Sequence, residues 1–157
     1  MSRMTCVSQD GQLVLRGTID ETAKLVDLLS YARDGRLALD LGAISFINSP
    51  GVRAWISMQQ VAAKQRIALE LRRVSEPIVH QLNIVPAARG VSLVSSFFAP
   101  YECEECDCEQ VILLDVRVHG GDLARMRPPA MTCPDCKRSM SFAHPPELYF
   151  TFLAAPS

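Results

Sequence analysis

The chain of 157 residues carries 16 lysines and arginines against 17 aspartates and glutamates, a formal charge of -1, which gives no general attraction to nucleic acid or anionic lipid. Hydrophobic residues make up 48% and charged residues 21%, the composition of a folded chain rather than a disordered one. No apolar run approaches the roughly 20 residues that span a bilayer, and the opening MSRMTCVSQDGQ lacks the apolar core of a secretion signal, so the reading is a cytoplasmic protein with reduced cysteines.

Residues 4–7 and 13–16 predict two strands joined through Asp10-Gly11, a favourable hairpin dipeptide. Cys6, in the first of them and far from the other cysteines, reads as a structural thiol. Thr18-Ile19-Asp20-Glu21 fits a capping box, and the helix after it places Leu25, Leu28, Leu29 and Ala32 on one face before Gly35. Residues 37–41 and 44–47 are almost wholly apolar, as in a strand covered on both faces.

A polar turn follows, Asn48-Ser49-Pro50-Gly51, and then a helix over 51–64. Ala54, Trp55, Met58, Val61 and Ala62 form its inward stripe, and Arg53, Ser57, Gln60 and Lys64 its outer side. Val52 and Ile56 flank the stripe and, if exposed, make a docking patch beside Ser49. Residues 67–71 predict another strand, and Ser75 caps a short helix carrying Pro77, Ile78, Val79 and Leu82, with His80 at its surface. Residues 91–98 close the sheet, giving an α/β fold of four or five strands.

Two readings of Ser49 stand at this point. One is a simple helix cap. The other is a hydroxyl set where unpaired amides and the helix dipole favour a phosphate or an acidic partner. The segments LRGTID, LALDLGAISFINSPGVRAW and IALELRRVSEPIVHQL, in that order, resemble the STAS family of sulfate-transporter and anti-sigma-factor-antagonist domains over roughly residues 4–98. The resemblance implies a STAS-like sheet over residues 1–99. It also implies that Ser49, following the motif position held here by Asn48, accepts phosphate from a serine kinase or anti-sigma-factor partner. Asn48 stands where the family has aspartate and Pro50 fills the variable position, so the cap oxygen is kept and its charge is lost.

Residues 100–157 read differently. YECEECDCEQVILLDVRV and MTCPDCKRSM contain two CxxC pairs, Cys103 with Cys106 and Cys133 with Cys136. Each pair can turn two thiolates toward one ion, and together they fill a tetrahedral site, for which structural Zn2+ is the expected cofactor. The segment resembles a zinc ribbon. Cys108 competes for the first knuckle and His144 is a weaker substitute ligand. Lys137 and Arg138 are placed to offset the thiolate charge. Residues 111–118 predict a strand, His119-Gly120-Gly121 a flexible link, and 149–153 a last short strand.

Nothing in the chain assembles a phosphate loop, a zinc-hydrolase motif or a serine with a general base, so the expectation is a non-enzyme. Partner binding through Asn48, Ser49, Pro50, Gly51, Val52 and Ile56 is expected instead. One form is a switch phosphorylated at Ser49. The other is a constitutive assembly subunit, for example of a transporter complex. Glu102, Glu104, Glu105, Asp107 and Glu109 make the first knuckle acidic and argue against the third class, a nucleic-acid-binding ribbon.

Overall fold

The computed structural model describes residues 3–90 and 92–153. β1 (Thr5–Gln9) and β2 (Gln12–Ile19) run antiparallel about Asp10-Gly11. Both turn residues have positive φ, 53° and 78°, which this dipeptide tolerates in a two-residue hairpin. β3 (Arg36–Ile47), β4 (Ala68–Arg72) and the short β5 (Leu93–Val94) add in parallel, giving a five-stranded sheet of order β1-β2-β3-β4-β5. A 3-10 helix (Leu25–Tyr31), α1 (Ser49–Lys64), α2 (Glu76–Ile84) and α3 (Pro86–Arg89) make the connections. The class is α/β, with Val91 of the last expected strand lying outside the described residues.

β3 is not covered on both faces. Leu37, Leu39 and Leu41 join Leu13, Leu15, Leu69 and Leu71 in the core. Successive strand residues point to opposite faces, and the side carrying Ala38 and Asp40 also bears Glu70 and Arg72. There Arg72 pairs with Glu70 at 2.5 Å and Arg73 with Asp40 at 3.3 Å. Ala43, Ser45 and Phe46 are exposed, Phe46 by 44%.

The capping box also fails to form. Thr18 is drawn into β2, paired with Phe46, and its hydroxyl is buried without a partner. Asp20 turns the chain instead, its Oδ1 accepting from the Thr22 N–H at 2.9 Å. Only a 3-10 helix follows, still burying Leu25, Leu28 and Leu29, and it stops at Tyr31, short of Gly35. Ser75 flanks α2 but makes no cap bond, its hydroxyl likewise buried and unpaired.

α1 is seated by two contacts. Trp55, buried as expected, donates from Nε1 to the Ala88 carbonyl at 2.6 Å and locks α1 to α3. At the helix start, Gly51 lies against the end of β2, where a Cβ would stand 2.2 Å from the Ile19 carbonyl oxygen. Glycine is therefore required by contact with backbone that cannot give way.

A second sheet grows from the first. The Ser95 N–H donates to Leu71 O (3.0 Å), Val74 N–H to Ser96 O (3.1 Å) and Phe98 N–H to Val74 O (2.9 Å). These bonds fasten the start of β6 (Ser96–Cys103) beside the end of β4. β6 then pairs antiparallel with β7 (Cys108–Asp115) and β9 (Ser139–Phe142), and β9 with β8 (Met131–Thr132), in the order β7-β6-β9-β8. The division expected between residues 99 and 100 falls inside β6.

Two elements of this part differ from expectation. Asp115 ends β7 by capping α4 (Val116–Ala124), its Oδ1 accepting from the Arg117 N–H at 2.8 Å, so His119-Gly120-Gly121 is helical. Burial of Leu123 overrides the poor helix propensity of the two glycines. Residues 149–153 form no strand; they span the end of α5 (Pro146–Tyr149) and a 3-10 turn (Thr151–Leu153). No helix among the described residues is long and apolar enough to cross a membrane.

Gly51→Ala should lower folding stability by about 3 kcal/mol, since the added methyl meets backbone. Chemical denaturation checks this; a loss below about 0.5 kcal/mol contradicts the close approach.

Candidate functional site

Two hairpins bring the cysteines together. Cys103 ends β6 and Cys108 opens β7 as its cross-strand partner, so Glu104, Glu105, Cys106 and Asp107 form the loop between them. The second knuckle joins β8 to β9, with the Lys137 N–H donating to Cys133 O at 2.9 Å and the Cys133 N–H to Arg138 O at 2.8 Å. In each, the residue after the second cysteine has positive φ: Asp107 at 51° and Lys137 at 66°. That reversal lets a CxxC segment curl its two sulfurs to one side.

The Sγ atoms of Cys103, Cys106, Cys133 and Cys136 all lie within 4.8 Å of one another. Cys103 and Cys136 are 3.5 Å apart and Cys106 and Cys133 3.9 Å. A tetrahedron of thiolates around an ion bonded at about 2.3 Å has edges of about 3.8 Å. These sulfurs therefore fit a metal ion without rearrangement of the chain. Cys103 and Cys133 are buried, Cys106 and Cys136 half-buried.

The same crowding separates their acidities. Backbone N–H groups of Cys136 and Asp135 hold the Cys133 thiol down at about 6, against the opposing effect of burial. The Cys106 N–H favours a Cys103 thiolate, but burial and the neighbouring Cys136 and Cys133 thiols outweigh it and raise that group. Cys106 is raised by its contact with Cys136 and then by burial. One thiolate thus forms readily and neighbouring thiols resist joining it unless a cation does.

The remaining candidates fall as follows. Cys108 lies outside the four-sulfur group, with its Sγ 4.0 Å from that of Cys133. His144 stacks on Tyr149 (centroids 6.1 Å apart, 26° between planes) and does not join the cysteines. His80 is exposed on α2 and lines a groove of about 770 Å³ with Glu76, His144 and Leu148. Lys137 Nζ donates to the Pro134 carbonyl (3.1 Å) and Arg138 pairs with Glu105 (3.3 Å) rather than with sulfur. Cys6 is half-buried in β1, its thiol pushed up by burial.

At the other candidate site Ser49 is exposed in the first turn of α1, where β2 and β3 end. Asn48 is the cap, its Oδ1 accepting from the Gly51 N–H at 2.8 Å, while its Nδ2 donates to Glu21 at 3.2 Å. The Val52 N–H goes to the Asn48 carbonyl at 2.9 Å, and Pro50 has none to give. The turn is therefore poorer in free amides than its sequence suggests. Val52 and Ile56 are half-buried against the core, so the expected patch is only partly open. Exposed Phe46, three residues before Ser49, is the apolar surface residue that sequence reasoning missed, because its run reads as wholly buried.

No protein-family model, curated protein or solved structure matches this chain.

Protons and metal compete for the same sulfurs, so metal affinity should rise with pH. The Cys133 thiol enters that competition only below about 6. Chelator-competition titrations between about pH 5 and 8 should therefore show log affinity falling as the pH is lowered, more steeply by about one proton at the acid end. An affinity that does not change with pH contradicts coordination by these thiols.

Proposed function

We propose that the chain is a non-enzymatic regulatory protein that binds a protein partner through the Asn48-Ser49-Pro50-Gly51 turn and the adjoining face of α1. Its first sheet is read as an antagonist-like STAS domain, and its cysteine cluster as a structural zinc site of ribbon type. The observation that carries this reading is the exposure of Ser49 on a turn of fixed backbone, capped by Asn48 and pressed against Ile19 at Gly51. A rigid, accessible hydroxyl at the end of the parallel strands is a recognition point that modification can switch.

The order of elements supports the resemblance: a leading antiparallel strand, three parallel additions, and a helix entered through the NSPG turn. Phosphate at Ser49 would add about two negative charges. With the Gly51 and Val52 amides already engaged and Glu21 close to Asn48, that charge acts mainly by repelling an acidic partner surface. The partner class is a serine kinase or an anti-sigma factor. The all-sulfur donor set favours zinc, which takes tetrahedral thiolate geometry without redox cost.

Constitutive docking, as in an assembly subunit, is the second reading. It is favoured by the Asn48–Glu21 bond, which ties the turn to the segment after β2 in the unmodified state.

Affinity capture from the native host separates the two. In a switch, Ser49→Asp releases the partner that wild type and Ser49→Ala retain, by about 10-fold or more, as expected for a charge set against a like-charged surface. Equal capture by all three forms removes the switch and leaves the constitutive subunit; a partner insensitive to Arg53→Glu and Phe46→Ala as well removes this face altogether.

A further inference from the structure

Cys108 is the sulfur left over from the four-cysteine cluster, and it has ligand-bearing neighbours of its own. Its Sγ, that of Cys133 and a carboxylate oxygen of Asp135 all lie within 4.8 Å of one another. The hairpin explains the placement: Cys103 and Cys108 are cross-strand partners, so the turn that delivers one sulfur to the cluster delivers the other to its flank. We propose that Cys108, Cys133 and Asp135 hold a second thiophilic divalent cation, of zinc type, with the Cys133 sulfur bridging it to the ion of the four-cysteine site. The inference rests on that four-cysteine reading, since Cys133 belongs to both groups.

Charge favours it. Four thiolates around a dication leave a net charge near -2, a field that draws a further cation to their flank. The surroundings add carboxylates: a cavity of about 270 Å³ at this rim is lined by Glu102, Glu104, Asp107 and Glu109 together with Cys103 and Cys108. The nearest basic groups in sequence do not fill the need, because Arg138 pairs with Glu105 and Lys137 turns to the Pro134 carbonyl.

Ligand type selects the ion. Two sulfurs and one carboxylate suit a borderline-soft metal and disfavour magnesium or calcium, which take oxygen sets. Cys108 is half-buried and Asp135 exposed, so the three ligands leave a position facing solvent, unlike the closed four-sulfur site. Binding forms the Cys108 sulfur–metal bond and releases the thiol proton to water.

Full-length protein loaded with zinc and freed of excess is titrated with Zn2+ and read by native mass spectrometry, with Cys108 alkylation by iodoacetamide mapped at each step. Wild type should take up a second zinc and lose alkylation at Cys108 as it does so. Cys108→Ser should keep the first ion and lose the second; Asp135→Asn should weaken the second alone. Wild type that stops at one ion, or a second ion that Cys108→Ser retains, overturns the proposal while leaving the four-cysteine site standing. A chain that holds no zinc removes that site, and this one with it.

Discussion

Four sulfur atoms gathered within reach of one ion are the constraint on which the C-terminal third of the chain depends. β8 has two residues and β9 four, so their backbone ladder can contribute little order by itself. β9 meets β6 at only two backbone pairs, Tyr101 with Phe142 and Glu102 with Ser141, and the contacts of Cys103 with Cys136 and of Cys106 with Cys133 join the knuckles beyond them. Neighbouring thiols and burial raise Cys103 and Cys106, which oppose ionisation without a cation. With one, the coordination energy of roughly 10 kcal/mol becomes folding energy for the knuckles.

The clamp matters to the whole molecule because β6 is shared. Its first residues bond to Val74 and its last is Cys103, so one strand connects the parallel sheet to the four-cysteine cluster. Around it the C-terminal aromatics close the seam. Phe97 packs edge-on against Phe152 at 5.1 Å, Tyr149 donates to the Phe98 carbonyl at 2.6 Å, and Asn83 of α2 holds both Tyr149 O and the Phe152 N–H. Tyr101, with its phenol pushed up to about 12 by burial, remains a donor and reaches Pro129 O at 2.8 Å. The second sheet is thus sealed to α2 on one side and carries the cysteine cluster on the other, while the Ser49 turn follows the end of β3.

Much of the first sheet was legible because its signals are local. Asp10-Gly11 dictates a hairpin, the Trp55–Met58–Ala62 spacing dictates a helical stripe, and paired CxxC segments dictate a common ligand set. The errors came where tertiary contacts overrode local preference. Thr18 and Glu21 have capping-box spacing, yet pairing with Phe46 claims Thr18 for β2. The aromatic-rich run 149–153 resembles a strand, but Pro145-Pro146 starts a helical turn and wedges the rings against Phe97. The position of Cys108 beside Cys133 depends on how two distant hairpins meet, which no spacing encodes.

Hydrogen exchange on the metal-loaded protein, before and after removal of the metal by a strong chelator, tests the sulfur clamp most directly. Backbone amides of residues 131–142 and of the 103–108 turn should lose protection, while β2, β3 and β4 keep theirs. Unchanged protection in the two knuckles after the metal is gone would contradict it.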